Sequence, residues 1–337
     1  MKDYINQIER WQSGNKKIAL ARVIQTWGSS PRPVGSVMFI SSDLEMAGSV
    51  SGGCVEGAVL KESKLIFDSN NGKKLAYGVT DDDAWAVGLS CGGKIQVFLQ
   101  PWNADPVLLE LQTKLRSNAG CILVTKLVDG VVNNNLVDEA SNVLGEGLPT
   151  AVLQVATKAY STRAHQVFSS GDEEYFIQVF PPRSKMIIIG AVHITADLIQ
   201  FGKSFDFETI VIDPRGTFAN NTAFPVQPDQ IHEKYPSEIL STFSLDPYTY
   251  AVILSHDPKI DDDALNVLLK SPVAYIGALG SKKNHEKRKA RLTQHGFSEE
   301  EIDRINAPIG IDIHAKGARE IALSIIGAII RAKNAHL

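Results

Sequence analysis

Residues 4–14 place Tyr4, Ile5, Ile8 and Trp11 at helical spacing, and Ser13, Gly14 and Asn15 end the segment. Aliphatic and β-branched residues then fill 17–26 and 37–41, which predicts two strands on either side of the loop GSSPRPVGS. A glycine turn at 51–53 leads into a helix starting near Cys54, with Val55, Val59, Ile66 and Phe67 roughly on one face. The pattern further predicts strands at 73–79 and 94–99, a helix at 106–116, and strands at 121–128, 151–156 and 174–180.

The run Pro181, Pro182, Arg183, Ser184 interrupts this pattern, and a domain boundary is placed there, giving residues 1–182 and 183–337. Beyond it the reading is regular. Apolar strands at 186–190, 209–213, 250–255 and 273–276 alternate with helices at 193–201, 262–269 and 282–291, and a long apolar helix covers 318–332. Continuous apolar strands separated by helices predict an α/β protein, with an N-terminal mixed α/β domain and a C-terminal doubly wound parallel sheet covered on both faces.

Composition narrows the function classes. At 337 residues and 44% hydrophobic, the chain can build two ordinary cores. Lys plus Arg is 34 against 38 for Asp plus Glu, a net charge of −4 with no basic arm, so nucleic-acid binding is not expected. No stretch approaches the ~20 apolar residues of a membrane helix, and a cytoplasmic, unprocessed protein is expected. The three cysteines, Cys54, Cys91 and Cys121, are scattered and form no Cys-x-x-Cys pair, which disfavours zinc ribbons, iron–sulfur ligation and disulfide staples.

Several residues could carry chemistry. The strand at 186–189 runs into Gly190, Ala191, Val192 and His193 at a helix start, and Asp213 ends the next strand, the layout of a dinucleotide-binding βαβ unit. The glycine fingerprint is only partly met, because Val192 and Thr195 stand at its second and third positions, so a plain tight turn competes with NAD(P) binding. A second turn, Gly277 to Ser281 with Gly280, precedes Lys282 and Lys283 and makes a candidate phosphate cradle, while Lys287 to Arg291 read as a solvated helix face. Cys54, after Gly52 and Gly53, sits at a helix start that favours a thiolate; Cys91 lies among small residues, and both compete with a buried-core reading. Cys121 reads as core. Asp81, Asp82 and Asp83 precede Trp85 and read as a helix cap more readily than as a cation site. His256 stands at the carboxyl end of a parallel strand, where ligands sit in open α/β sheets, and Arg32 is held between two prolines as an anion clamp would be.

Read together, these segments resemble the XdhC/CoxI accessory proteins of molybdenum hydroxylases. The matching stretches are GSSPRPVGSVMFI, GSVSGGCVEGAV, TDDDAWAVGLSCGGKIQVFLQP, IIIGAVH, VIDPRGTFA, LSHDPKIDDDAL, YIGALGSKKNHEKR and APIGIDI with EIALSII, in the family's order. The resemblance implies an N-terminal domain with glycine-rich cysteine loops joined to a Rossmann-like domain. It implies an accessory role: binding the molybdenum cofactor, protecting it during sulfuration and delivering it to a xanthine dehydrogenase-type hydroxylase. It also implies Cys54 and Cys91 near molybdenum, and Arg32 and the Gly277 to Ser281 turn near a phosphate tail. Two departures are that the family usually shows GAGH where Val192 interrupts, and Gly where His314 stands. A cysteine desulfurase partner and a homodimer are further expectations. The rival reading is an NAD(P)-dependent oxidoreductase; a persulfide carrier at Cys54 and a pure scaffold are the others. A xanthine dehydrogenase itself is not expected, because the scattered cysteines supply no iron–sulfur ligand set.

Overall fold

A computed structural model of the chain describes residues 1–30, 32–53, 55–78, 93–102, 105–216 and 224–335. It divides into two compact units, Met1–Pro182 and Arg183–Leu337.

The first unit contains two five-stranded antiparallel sheets. One is built from β1 (Ile18–Trp27), β2 (Val37–Ser41), β3 (Met46–Gly48), β4 (Lys73–Tyr77) and β5 (Lys94–Pro101), in the order β3-β2-β1-β5-β4. The other is built from β6 (Cys121–Lys126), β7 (Asn134–Asp138), β8 (Val143–Leu144), β9 (Gln166–Ser170) and β10 (Glu173–Phe180), in the order β8-β7-β6-β10-β9. Helices α1 (Ile5–Ser13), α2 (Glu56–Ser69), α3 (Pro106–Arg116) and α4 (Thr150–Thr162) cover them. Strand β1 is the hinge of the packing because both its faces are buried. Ala19, Ala21 and Val23 meet Val59 and Ile66 of α2, whereas Leu20 packs with Trp11 of α1 and Leu111 of α3.

Arg22, fully buried on β1, ties the two sheets together. Its Nη2 donates to Gln100 Oε1 of β5 at 2.6 Å and to Thr125 Oγ1 of β6 at 2.8 Å, and Nη1 reaches Gln178 Oε1 of β10 at 3.4 Å. Its guanidinium also lies over Phe98 and Phe176, at 5.9 and 5.4 Å from the ring centroids. Burial pushes its pKa down to about 9, so it is still charged at neutral pH.

The expected strand at 151–156 is instead the first half of α4. Val152, Ala156 and Ala159 bury at helical spacing, and the apolar pattern continues for one more turn to Ala159 and Tyr160, longer than a strand of this sheet. Strand β7 gave no clear signal in the sequence because its polar residues are buried. Asn134 accepts from Thr125 Oγ1 at 2.8 Å, and Asn135 Oδ1 accepts from the Gly147 amide at 2.9 Å.

The second unit is the predicted Rossmann-like sheet, entirely parallel. It comprises β11 (Lys185–Ile189), β12 (Glu208–Ile212), β13 (Gln230–His232), β14 (Thr249–Ile253), β15 (Tyr275–Ala278) and β16 (Ile305–Asn306), in the order β13-β12-β11-β14-β15-β16. Counted within the unit this is 3-2-1-4-5-6, the doubly wound order whose crevice opens between its first and fourth strands. The helices are α5 (His193–Ser204), α6 (Pro236–Leu240), α7 (Pro258–Leu268), α8 (Lys282–Gln294), α9 (Glu299–Asp303) and α10 (Ala318–Ala335). Alternate strand residues feed two cores. Ile187, Ile189, Ala251 and Ile253 meet Ile260, Ala264 and Leu268 of α7, and Met186, Ile188, Tyr250 and Val252 share a core with Leu198 of α5 and Ile325 and Ile329 of α10. Burial on both faces is why these strands read as unbroken apolar runs. No helix of the described residues is long and apolar enough to cross a membrane.

Candidate functional site

In the first unit the candidate segments gather at one end of one sheet. Trp27 at the exit of β1 pairs with Lys94 at the entrance of β5, and Gly48 at the exit of β3 pairs with Met38 near the entrance of β2. The loop that carries Arg32 leaves β1 at this end. Arg32 is half-buried and its Nε donates to the Ser49 carbonyl at 3.4 Å, so the arginine loop and the glycine loop touch. Gly93, next to Cys91 and Gly92 in sequence, has no room for a side chain: a Cβ would stand 2.4 Å from the Ser29 carbonyl oxygen. A cleft of about 630 Å³ near Gln12, Lys17, Phe67 and Trp102 lies at the opposite end of β1, away from these loops.

Glu56, the first residue of α2, organises the glycine loop. Its Oε1 accepts from the amides of Val50 at 3.1 Å, Ser51 at 2.9 Å and Gly52 at 3.1 Å, and from Ser49 Oγ at 2.6 Å. Its Oε2 accepts from the Gly53 amide at 2.8 Å and from the Ser51 hydroxyl. Partial burial raises the pKa of this carboxyl, but the hydroxyl and amide donors outweigh it and hold the group at about 2. The loop is thus an anion nest already filled by the chain's own carboxylate. Gly52 and Gly53 are exposed and take φ of +77° and +121°, which favours glycine at both. Glu56 was not singled out from the sequence. The signal was an acid closing a Ser-rich loop at a helix start, in the manner of a capping box.

Cys54 and Cys91 lie outside the described residues, as do Asp81, Asp82, Asp83 and Trp85. Cys121 is buried in β6, where burial pushes its thiol up to about 12. Among the described residues no cluster of His, Cys, Asp and Glu could hold a metal ion.

In the second unit Gly190 follows β11 at the crevice with φ +108°, and a Cβ there would sit 2.8 Å from the Ser255 backbone. Glycine is required by that close approach. The amides of the turn are then taken one by one: Gly190 donates to the Ile212 carbonyl at 2.9 Å, Ala191 to Asp213 Oδ2 at 2.8 Å and Val192 to Thr195 Oγ1 at 3.2 Å. Asp213 is only 1% exposed and is clasped by Arg215, with Nε on Oδ1 at 2.9 Å and Nη2 on Oδ2 at 2.7 Å. Arg215 Nη1 also donates to the Ser255 carbonyl at 3.2 Å, across the crevice. Burial raises the Asp213 pKa, but Arg215 and the backbone donors hold it below the ordinary carboxylate range. The amides and the acid expected to meet a pyrophosphate and a ribose hydroxyl thus make internal contacts. His193 and His256 are exposed at the same edge, and His256 takes the left-handed φ of +62°.

The turn after β15 differs. Gly277 lies within the strand, buried, and is glycine because a Cβ would meet Ile309 and Tyr275 at 2.7 Å, so core packing accounts for it. Gly280, at φ +140°, has open space, its nearest would-be neighbour being Asn284 at 3.5 Å. Ser281 caps α8, its hydroxyl accepting from the Asn284 amide at 3.3 Å. The later part of α8 is not simply a solvated face. Arg288 is 4% exposed and pairs with Asp261 of α7 at 3.2 Å, and Arg291 pairs with Asp262.

Comparison with known proteins assigns both units. Residues 11–78 match the XdhC and CoxI family, and residues 186–329 match the XdhC Rossmann domain. The chain belongs to the XdhC/CoxI family. The XdhC/CoxI match over 11–78 includes Arg32, the loop 49–53, Cys54 and Glu56, whereas Cys91 lies beyond it. Among XdhC/CoxI-like relatives, the chain is 26% identical to a protein of Bacillus subtilis (strain 168) named as a probable xanthine dehydrogenase subunit, over 99% of this chain and 98% of that one. It is 24% identical to the molybdenum cofactor insertion chaperone PaoD of Escherichia coli (strain K12), over 96% of this chain and 85% of that one. A crystal structure from Bacillus halodurans described as a xanthine dehydrogenase matches with a TM-score of 0.78 at 26% identity, covering 98% of this chain and 96% of that one.

Proposed function

We propose that this protein serves molybdenum-enzyme maturation as a carrier, binding the molybdenum cofactor as cargo, shielding it while its terminal sulfur is installed and delivering it to a xanthine dehydrogenase-type hydroxylase. The observation that carries the reading is the loop 49–53, which folds around Glu56 immediately before Cys54 and touches Arg32. A loop whose amides are all satisfied holds one shape, which suits a single thiolate that must meet a soft metal without rearrangement. Cys54 and Cys91 are the assigned metal-facing thiols, and Arg32 the assigned anion contact. The Escherichia coli relative named as a cofactor insertion chaperone supports the reading. A cysteine desulfurase and a second copy of the chain are the proposed transient partners.

The test uses purified protein mixed anaerobically with molybdenum cofactor released from a donor enzyme. Bound molybdenum is measured by elemental analysis and bound pterin by fluorescence of its oxidised derivative. The expected result is near-stoichiometric retention that is lost in Cys54→Ala or Cys91→Ala. Micromolar binding of NAD(P)H with no retained pterin would overturn the carrier reading in favour of an oxidoreductase.

A further inference from the structure

We propose that the second unit holds a binding site for the terminal phosphate of a phosphate monoester, in the cavity between the exit of β14 and the flank of α8. Its volume is about 210 Å³, below the ~300 Å³ at which pockets begin to enclose whole cofactors, so it fits a head group. Four of its lining residues, Asn284, Lys287, Arg288 and Arg291, fall three, four and seven residues apart on α8 and share one face of that helix. His256, at the carboxyl end of β14, forms another part of the wall.

The charge distribution is what makes this an anion site. Arg288 is almost fully buried. Its Nη2 donates to Asp261 Oδ2 at 3.2 Å and to the Leu279 carbonyl at 3.1 Å, while Nε and Nη1 are buried with no hydrogen-bond partner. A buried guanidinium with idle donors lacks an acceptor, and a phosphate oxygen is an acceptor such a charged donor favours. The acid lining the cavity, Asp261, is already engaged, since it also accepts from Ser255 Oγ at 2.6 Å, and Arg291 is held by Asp262 at 2.9 Å. Among the described residues Lys287 has no carboxylate partner, which leaves the cavity with excess positive charge. This inference is independent of cargo binding at the cysteines.

The experiment is calorimetric titration of the full chain with inorganic phosphate, AMP and NAD at low ionic strength. Wild type is expected to bind phosphate and AMP saturably at one site per chain, with affinity about tenfold lower in Lys287→Glu and in Asn284→Asp. Both substitutions are on the helix surface, so thermal midpoints are expected to stay near wild type and confirm folding. Retained phosphate binding in Cys54→Ala separates this site from the cargo loop, even where molybdenum retention fails. Absence of saturable phosphate binding, equal affinity in folded Lys287→Glu, or binding of NAD alone would each overturn the assignment.

Discussion

Two strand-to-helix turns of the same parallel sheet begin alike, with a strand, a glycine and a small residue, yet they end in opposite states. At Gly190 the turn closes on itself: Ile212, Asp213 and Thr195 take its amides, and Arg215 neutralises the acid. At Gly280 the turn stays open, and the helix that follows turns a row of cations toward a cavity. A turn saturated by its own side chains is scaffold, whereas one that leaves charge and donors unmatched can receive a ligand. The glycine loop at 49–53 is a third variant. It is saturated like the first, but by a carboxylate that among the described residues carries no cation and is held by amide and hydroxyl dipoles.

The comparison is broken most forcefully at Gly190. Gly190→Ala combines a positive φ with backbone contact at 2.8 Å and is expected to cost about 3–5 kcal/mol in the second unit. Gly280→Ala, with open space, should cost roughly 1–2 kcal/mol. Hydrogen exchange of β11 and β15 amides would measure both, and equal losses would contradict the distinction between closed and open turns. Asp213→Asn comes next. It breaks a clasp that is buried on the acid side, with an expected loss of about 2–3 kcal/mol. Because the Asp213 pKa is depressed in the fold, its contribution is complete above the ordinary value of 3.8 and fades as pH falls below it.

Glu56→Gln tests the third turn. It should cost roughly 1–2 kcal/mol, raise exchange at amides 50–53 and reduce molybdenum retention. In wild type the carboxylate's contribution is present above its ordinary value near 4.5 and is lost as pH falls toward about 2. A pH-independent loop between those values would remove the nest from the explanation. The smallest structural effect is Lys287→Ala, expected within about 0.5 kcal/mol of wild type in stability while weakening phosphate binding several-fold.

Much of the architecture was legible along the chain. The apolar strands at 186–190, 209–213 and 250–255 announced a parallel sheet, because burial on both faces demands uninterrupted hydrophobic residues. The helix α4 was not legible as such, since a six-residue window of AVLQVA fits a strand as well as a helix and only the continuation to Tyr160 separates them. At the candidate site, the glycines were visible but their tasks were not. Gly277 and Gly190 look alike in sequence, and one makes room for Ile309 while the other makes room for the Ser255 backbone.

By itself the sequence determined the alternation of apolar strands and helices beyond residue 185 and the family, though not helix α4 or strand β7, since periodicity and motif order are properties of the linear chain. It also presented the candidate groups: Arg32, the cysteine loops, Asp213, His256 and the basic stretch after Ser281. Only the tertiary structure decided which of these groups are engaged. Glu56 fills the loop beside Arg32, Arg215 holds Asp213, and Arg288 is buried with donors to spare. The physical reason is that a donor or charge acquires its role from the partner that meets it in space. That partner comes from a neighbouring turn of chain at Glu56 and Asp213, and from another helix altogether at Arg288.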